Sequence, residues 1–158
     1  MHKIVAPYSS QYKPMNIVRG VFGVLLGGVL WMMAFLVLAR LLMLAWPEYG
    51  VHAHTWMSAQ IYDFTALMSG FNIVFWILSE VGAGWLAVVI AGRRQAGWVL
   101  AALVMAYMCF MHLYYVWNSL PWWYNLLVAI PSGPAVLLGS KLAESFVRGS
   151  RGTTTVAA

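Results

Sequence analysis

The chain has 158 residues, of which 63% are hydrophobic and 8% charged. A soluble domain of this size carries roughly 25% charged residues and cannot hide so much apolar surface, so a water-soluble fold is excluded. The formal charge is +5, but the basic residues sit at the ends of apolar runs. They therefore read as topology and lipid-headgroup contacts, with no nucleic-acid partner.

Residues 1–16 form a polar tail with Lys3 and Lys13. The apolar run that follows is too long for a signal-peptide core of roughly 7–15 residues and has no Ala-x-Ala site, so it is expected to remain in the membrane. Span 1 is expected over 18–46. At 1.5 Å per residue it would be about 43 Å long, against a hydrocarbon core of about 30 Å, so it must tilt or project. Gly20, Gly23 and Gly27 form one stripe along it, and 23–27 is a literal G-x-x-x-G. Small residues at this spacing allow backbones to approach closely, either inside the monomer or at a homodimer face. Arg40 lies on the opposite side of the helix.

Residues 47–63 form the longest loop, without Lys or Arg. Its 55–62 portion is expected to be a short interfacial helix or an early start to the next span, with Thr55 or Ser58 as cap. His52-x-His54, with Glu48 and Asp63 nearby, is a weak metal pattern for lack of a fixed scaffold. A solvated loop is the plainer reading, and no metal is assigned.

Span 2 is expected over 66–92, span 3 over 96–117 and span 4 over 122–146. The 17–147 region thus reads as one four-span domain, followed by a disordered tail at 148–158. The turn at 118–121 is short enough to make spans 3 and 4 an antiparallel hairpin, with Pro121 in the first turn of span 4. Tyr114, Tyr115, Trp117, Trp122, Trp123 and Tyr124 around it read as an interfacial aromatic belt. Pro131-Ser132-Gly133-Pro134 is expected to kink or break span 4. Eight of the nine Lys and Arg residues fall on one side of this arrangement, Arg40 being the exception. The positive-inside rule then puts both termini in the cytoplasm.

A charge in the bilayer core costs at least about 2.5–3.5 kcal/mol, so each intramembrane polar group needs a partner or a purpose. Glu80 falls near the centre of span 2, on a stripe with Ser69, Asn72, Trp76, Ser79, Ala83 and Ala87 that must face other helices. It reads either as a proton or cation site or as packing glue. Arg40, Asn72 and His112 come from three spans and lie about 7–12 Å outward of the midplane. They form either a small binding site for an anionic or polar group or a structural hydrogen-bonded layer. Asp63 is an alternative partner for Arg40, which otherwise snorkels to the headgroups. His112 as a haem ligand would want a second histidine within a span, which is missing, so no cofactor is assigned. The single cysteine, Cys109, excludes an intrachain disulfide and thiolate clusters.

No hydrolase, metalloprotease, P-loop or dinucleotide motif is present, so no catalytic residue is assigned. The leading expectation is a non-catalytic membrane subunit, self-associating or accessory to a larger complex. The alternative is a small transporter or channel for protons or a small polar solute, using Glu80 and the Arg40/Asn72/His112 layer.

From Glu80 onward, Gly82-Ala83-Gly84-Trp85, Ala91-Gly92-Arg93-Arg94, Leu120-Pro121-Trp122-Trp123-Tyr124, Gly133-Pro134-Ala135 and Leu137-Leu138-Gly139 resemble a diffuse set of small bacterial four-span inner-membrane proteins. Arg19-Gly20 is a weaker echo of the same pattern. The resemblance implies an all-α, polytopic four-helix bundle in the bacterial cytoplasmic membrane, and it carries over no activity or site.

Overall fold

The computed structural model describes residues 15–152, with side chains over 17–146. Five α-helices follow in chain order: α1 (Met15–Ala45), α2 (Pro47–Ala59), α3 (Ala66–Ala91), α4 (Arg94–Phe110) and α5 (Trp122–Gly152), with no strand among the described residues. A wider π-helical turn, Met111–Tyr115, prolongs α4. Four stretches are long and apolar enough to cross a membrane: Ile17–Ala45, Ala66–Ala91, Arg94–Tyr115 and Trp122–Phe146. The helix of α1 begins at Met15 and that of α5 runs on to Gly152. The rest of the two expected tails, 1–14 and 153–158, lies outside the described residues.

The connection at 47–63 differs from expectation. Its helix starts at Pro47, directly after α1, and ends at Ala59. Proline at the first position loses an N–H that has no helical partner anyway, and Glu48 in the first turn faces the positive end of the helix dipole. Thr55 and Ser58 cap nothing. They lie inside α2 and donate back to Val51 O (3.1 Å) and His54 O (2.9 Å). Gln60, at φ 55°, closes the helix in the left-handed region.

α3 packs against α1, α4 and α5. Its ends are well defined. Thr65 Oγ1 accepts from Met68 N (3.3 Å), and Gly92, at φ 66°, donates to Val88 O (2.8 Å) before the chain turns into α4. Its buried residues recur at three- and four-residue steps: Ser69, Asn72, Ser79, Glu80, Ala83, Ala87 and Ala91 among them. With no apolar-versus-water contrast between helices and lipid, close backbone contact is what holds such helices together.

Glycine supplies that contact. A Cβ on Gly84 would collide with Val136 O, and one on Gly139 with Val81 O, so α3 and α5 admit each other reciprocally. A Cβ on Gly23 would sit 2.6 Å from Ala87 O, and one on Gly27 3.0 Å from Ala83 O. Those two glycines of the stripe therefore face α3 within the chain, while Gly20 has nothing within 4 Å. Trp31, Ala83, Ala87, Leu100, Val104 and Val136 form the middle of the core.

α5 is continuous through Pro131 and Pro134, so of the two expected outcomes, a kink or a break, the break does not occur. Each proline removes one donor, but neighbouring helices hold the segment in place. Gly133 accommodates Met105, and the Val136 and Gly139 backbones lie against α3.

The two ends of the bundle differ in chemistry. At one, Arg19 donates to Ile90 O, and Arg94 pairs with Glu144 (3.0 Å) and stands over the Trp98 ring. The other end holds α2, the π-helical turn and most of the buried aromatic hydroxyls.

Candidate binding cavity

At the α2 end the helices do not close completely. A cavity of about 460 Å³ lies between α1, α2, α3, the π-helical turn and the start of α5. This is within the roughly 300–1,000 Å³ range of small-molecule pockets. Its walls are mostly apolar and aromatic, Phe35, Trp56 and Trp76 among them.

The polar groups on these walls are organised by hydrogen bonds. Tyr49, from α2, is buried and donates to Asn72 Oδ1 on α3. Ser69 gives its hydroxyl proton to Thr65 O (2.8 Å), so it accepts from the Tyr62 hydroxyl. Burial pushes the Tyr49 phenol above its ordinary value; the Asn72 bond opposes this and the neighbouring Tyr62 adds to it. Burial likewise raises Tyr62, against the Ser69 bond. Both phenols thus remain protonated donors throughout the neutral range.

His112 stands on the π-helical turn, where the backbone bonds back over five residues (Val116 N to Met111 O, 2.8 Å). Its Nδ1 lies 3.0 Å from Asn125 Oδ1. The Asn125 amide nitrogen faces Trp117 O (3.4 Å) and Leu120 O (3.3 Å), which fixes the amide oxygen toward histidine. Nδ1 therefore carries a proton, and in the neutral ring Nε2 keeps its lone pair.

Arg40, Asn72 and His112, three of the four polar residues singled out from sequence, line this one cavity. Glu80 does not. It lies two turns further along α3, about 12 Å from Asn72 along the helix axis, and is 1% exposed. Ser132 on α5 is its hydrogen-bonding neighbour, and its Oε1 has no partner. Ser132 donates its own proton to Val128 O (2.8 Å). Arg40 is exposed at the cavity's edge, and its described polar contact is a long one, 3.8 Å to Met43 Sδ.

No protein-family model, curated protein or solved structure matches the chain. The site therefore has to be read from its own residues.

Asp63 is not the partner of Arg40. Its carboxylate pairs with His52 Nδ1 (2.9 Å), which α2 turns toward it, and His54 points outward, exposed. Among the described residues no group of three or more His, Cys, Asp or Glu side chains is placed to hold a metal ion.

Sequence reasoning missed Tyr49, Tyr62, Tyr124 and Asn125. Tyr124 falls within the expected aromatic belt, but it is 6% exposed, while Tyr114, Tyr115 and Trp122 are open to the surroundings. One signal was available. Tyr124, Asn125, Val128, Ala129 and Ser132 recur at helical spacing, and all five are buried.

Proposed function

We propose that the chain is an integral protein of the bacterial cytoplasmic membrane that works as a non-catalytic, ligand-binding subunit. Its four spans form an antiparallel bundle with both termini inside, and its cavity opens toward the outer face. The distribution of Lys and Arg supports the orientation, and the resemblance to small bacterial four-span proteins supports the compartment. Its surroundings are the lipid bilayer, and its place is as an accessory part of a larger membrane complex. Self-association through the glycine stripe is less well supported, because Gly23 and Gly27 are already occupied by α3.

The observation that carries this reading is the convergence of Arg40, Asn72 and His112 on one cavity of about 460 Å³. The test is purification from native membranes in mild detergent, followed by mass spectrometry of bound small molecules. A compound that travels with the wild-type chain and is lost from Asn72→Leu is expected. Identical small-molecule content in both preparations would refute the reading.

A second reading is transport of protons or a small polar solute. It is favoured by the unpartnered Glu80 Oε1 beside Ser132, within the Pro131–Pro134 segment. Discontinuous or proline-bearing helices line such sites in transporters. Proton flux in liposomes that disappears in Glu80→Gln would favour it.

A further inference from the structure

The kind of ligand the cavity takes follows from which of its polar groups are already engaged. The hydroxyl protons of Tyr49 and Tyr62 are held by Asn72 and Ser69, and the Nδ1 proton of His112 by Asn125. Among the described residues the cavity-wall groups without a protein partner include the Asn72 amide N–H pair, the Tyr124 hydroxyl and His112 Nε2. Two of them are donors.

The single charged residue on the wall is Arg40, and no ion pair reaches it among the described residues. A guanidinium carries its charge at any physiological pH and presents a planar fork that matches carboxylate and phosphate oxygens. An unpaired arginine in an apolar span is costly, and an anion beside it offsets that cost. The remaining wall, with Phe35, Trp56 and Trp76, suits a hydrocarbon.

We propose that the cavity binds an acidic amphiphile, a single apolar chain ending in a carboxylate or a phosphate monoester, with Arg40 as the charge partner of its head. Asn72 and Tyr124 donate to the head's oxygens, and His112 Nε2 accepts from a protonated oxygen where the head has one. The chain lies against the aromatic wall. This rests on the reading of the cavity as a binding site.

The test uses the full chain in nanodiscs of phosphatidylcholine, with empty nanodiscs as the blank. Palmitate, hexadecyl phosphate and hexadecanol are titrated, and binding is followed by quenching of the cavity tryptophans. At least one acid is expected to bind saturably and roughly tenfold or more tighter than the alcohol, as one charge-assisted contact provides. The tighter of the two acids identifies the head. Arg40→Gln should erase that preference and Arg40→Lys restore part of it. Equal binding of all three probes, or a preference that survives Arg40→Gln, would overturn the acidic head and leave the cavity standing. If no probe binds saturably to the wild type, and Ala39→Phe, which fills the cavity, changes nothing, the binding site itself falls.

Discussion

Gly23 and Gly20 lie one turn apart on the same helix, yet they should respond in opposite ways to the same methyl group. A Cβ at position 23 would stand 2.6 Å from Ala87 O and 3.0 Å from Ala91 Cβ. That is about 0.8 Å short of the 3.4 Å at which ordinary contact begins, and neither neighbour is the free end of a flexible chain. α1 must move away from α3, which also loosens the seat of Gly27 against Ala83 O and Leu100. Overpacking of this kind costs about 1–3 kcal/mol. At position 20 nothing lies within 4 Å, so alanine there brings only its helix-propensity advantage of about 0.8–1.0 kcal/mol. That advantage is common to both positions, so the two variants should differ by the packing cost alone, about 1–3 kcal/mol. Reversible unfolding by SDS titration of the protein in mild micelles, followed by tryptophan fluorescence, reads the difference as a shift in midpoint. Midpoints that move together would refute the packing assigned to α1. A change in oligomer size with Gly23→Ala, at unaltered stability, would show instead that the stripe belongs to a contact between copies.

The other expectations concern the α2 end and the buried carboxyl. Asn125→Leu removes the partner of His112 Nδ1 and the donors to two loop carbonyls, for a cost of about 1–3 kcal/mol; nitrogen-15 histidine NMR should lose the single Nδ1–H tautomer, and an unchanged spectrum would count against the bond. Tyr49 and Tyr62 have folded values above the ordinary 10.0. Their contribution to stability is thus fully present below about pH 10 and is lost as pH rises beyond it, and Tyr49→Phe with Tyr62→Phe should flatten that decline in unfolding midpoint. Glu80→Gln, close in shape, should leave proton flux in liposomes at the background of the wild type; a wild-type flux that the variant abolishes would replace the binding reading with transport. Ser58→Cys should react with an impermeant maleimide from outside intact cells and Arg93→Cys should not, and the reverse pattern would invert the orientation.

The spans were readable because hydrocarbon thickness and hydropathy leave little choice over 17–45, 66–91, 94–115 and 122–146. The inward stripe of α3 was readable for the related reason that lipid cannot satisfy Ser69, Asn72 or Glu80. α2 was not, because a short helix carrying Glu48, His52, His54 and a leading proline has the composition of a loop. Its stability comes from tertiary contacts: Tyr49 and Ala53 bury themselves against Met68 at the head of α3. For α5 the two prolines allowed either a kink or a break, and the glycine contacts that accompany its continuity are not written in them.

The site was legible only in halves. Helical phase and depth picked out Arg40, Asn72 and His112, which needed only the spans to be correct. The partner of Asn72, Tyr49, depends on how α2 folds back, and that of His112 on the π-helical turn, where one residue of register decides whether it meets Asn125. Glu80 shares the inward face of Asn72, but two turns of helix separate them, and a common face does not make a common site.

The placement of the cavity follows from the distribution of small residues. Gly84 and Gly139 draw α3 and α5 into backbone contact, and Gly97 seats the Ser140 side chain against α4, toward the basic end and middle of the bundle. There the helices leave no room for a ligand around Glu80. Toward α2 the same faces carry Trp76, Tyr124, His112 and Asn72, whose bulk and hydrogen-bonding needs hold the helices apart. α2 folds over the resulting gap and contributes Tyr49 to it. Replacing Asn72 or His112 with alanine should therefore not close the cavity, because the aromatic side chains set the spacing. Trp76→Ala, in contrast, removes a wall contacted by Trp31 at 5.7 Å and Phe35 at 3.9 Å between ring centres. It should lower stability by about 1–3 kcal/mol, and it should weaken the acid and the alcohol probes alike, whereas Arg40→Gln affects only the acid.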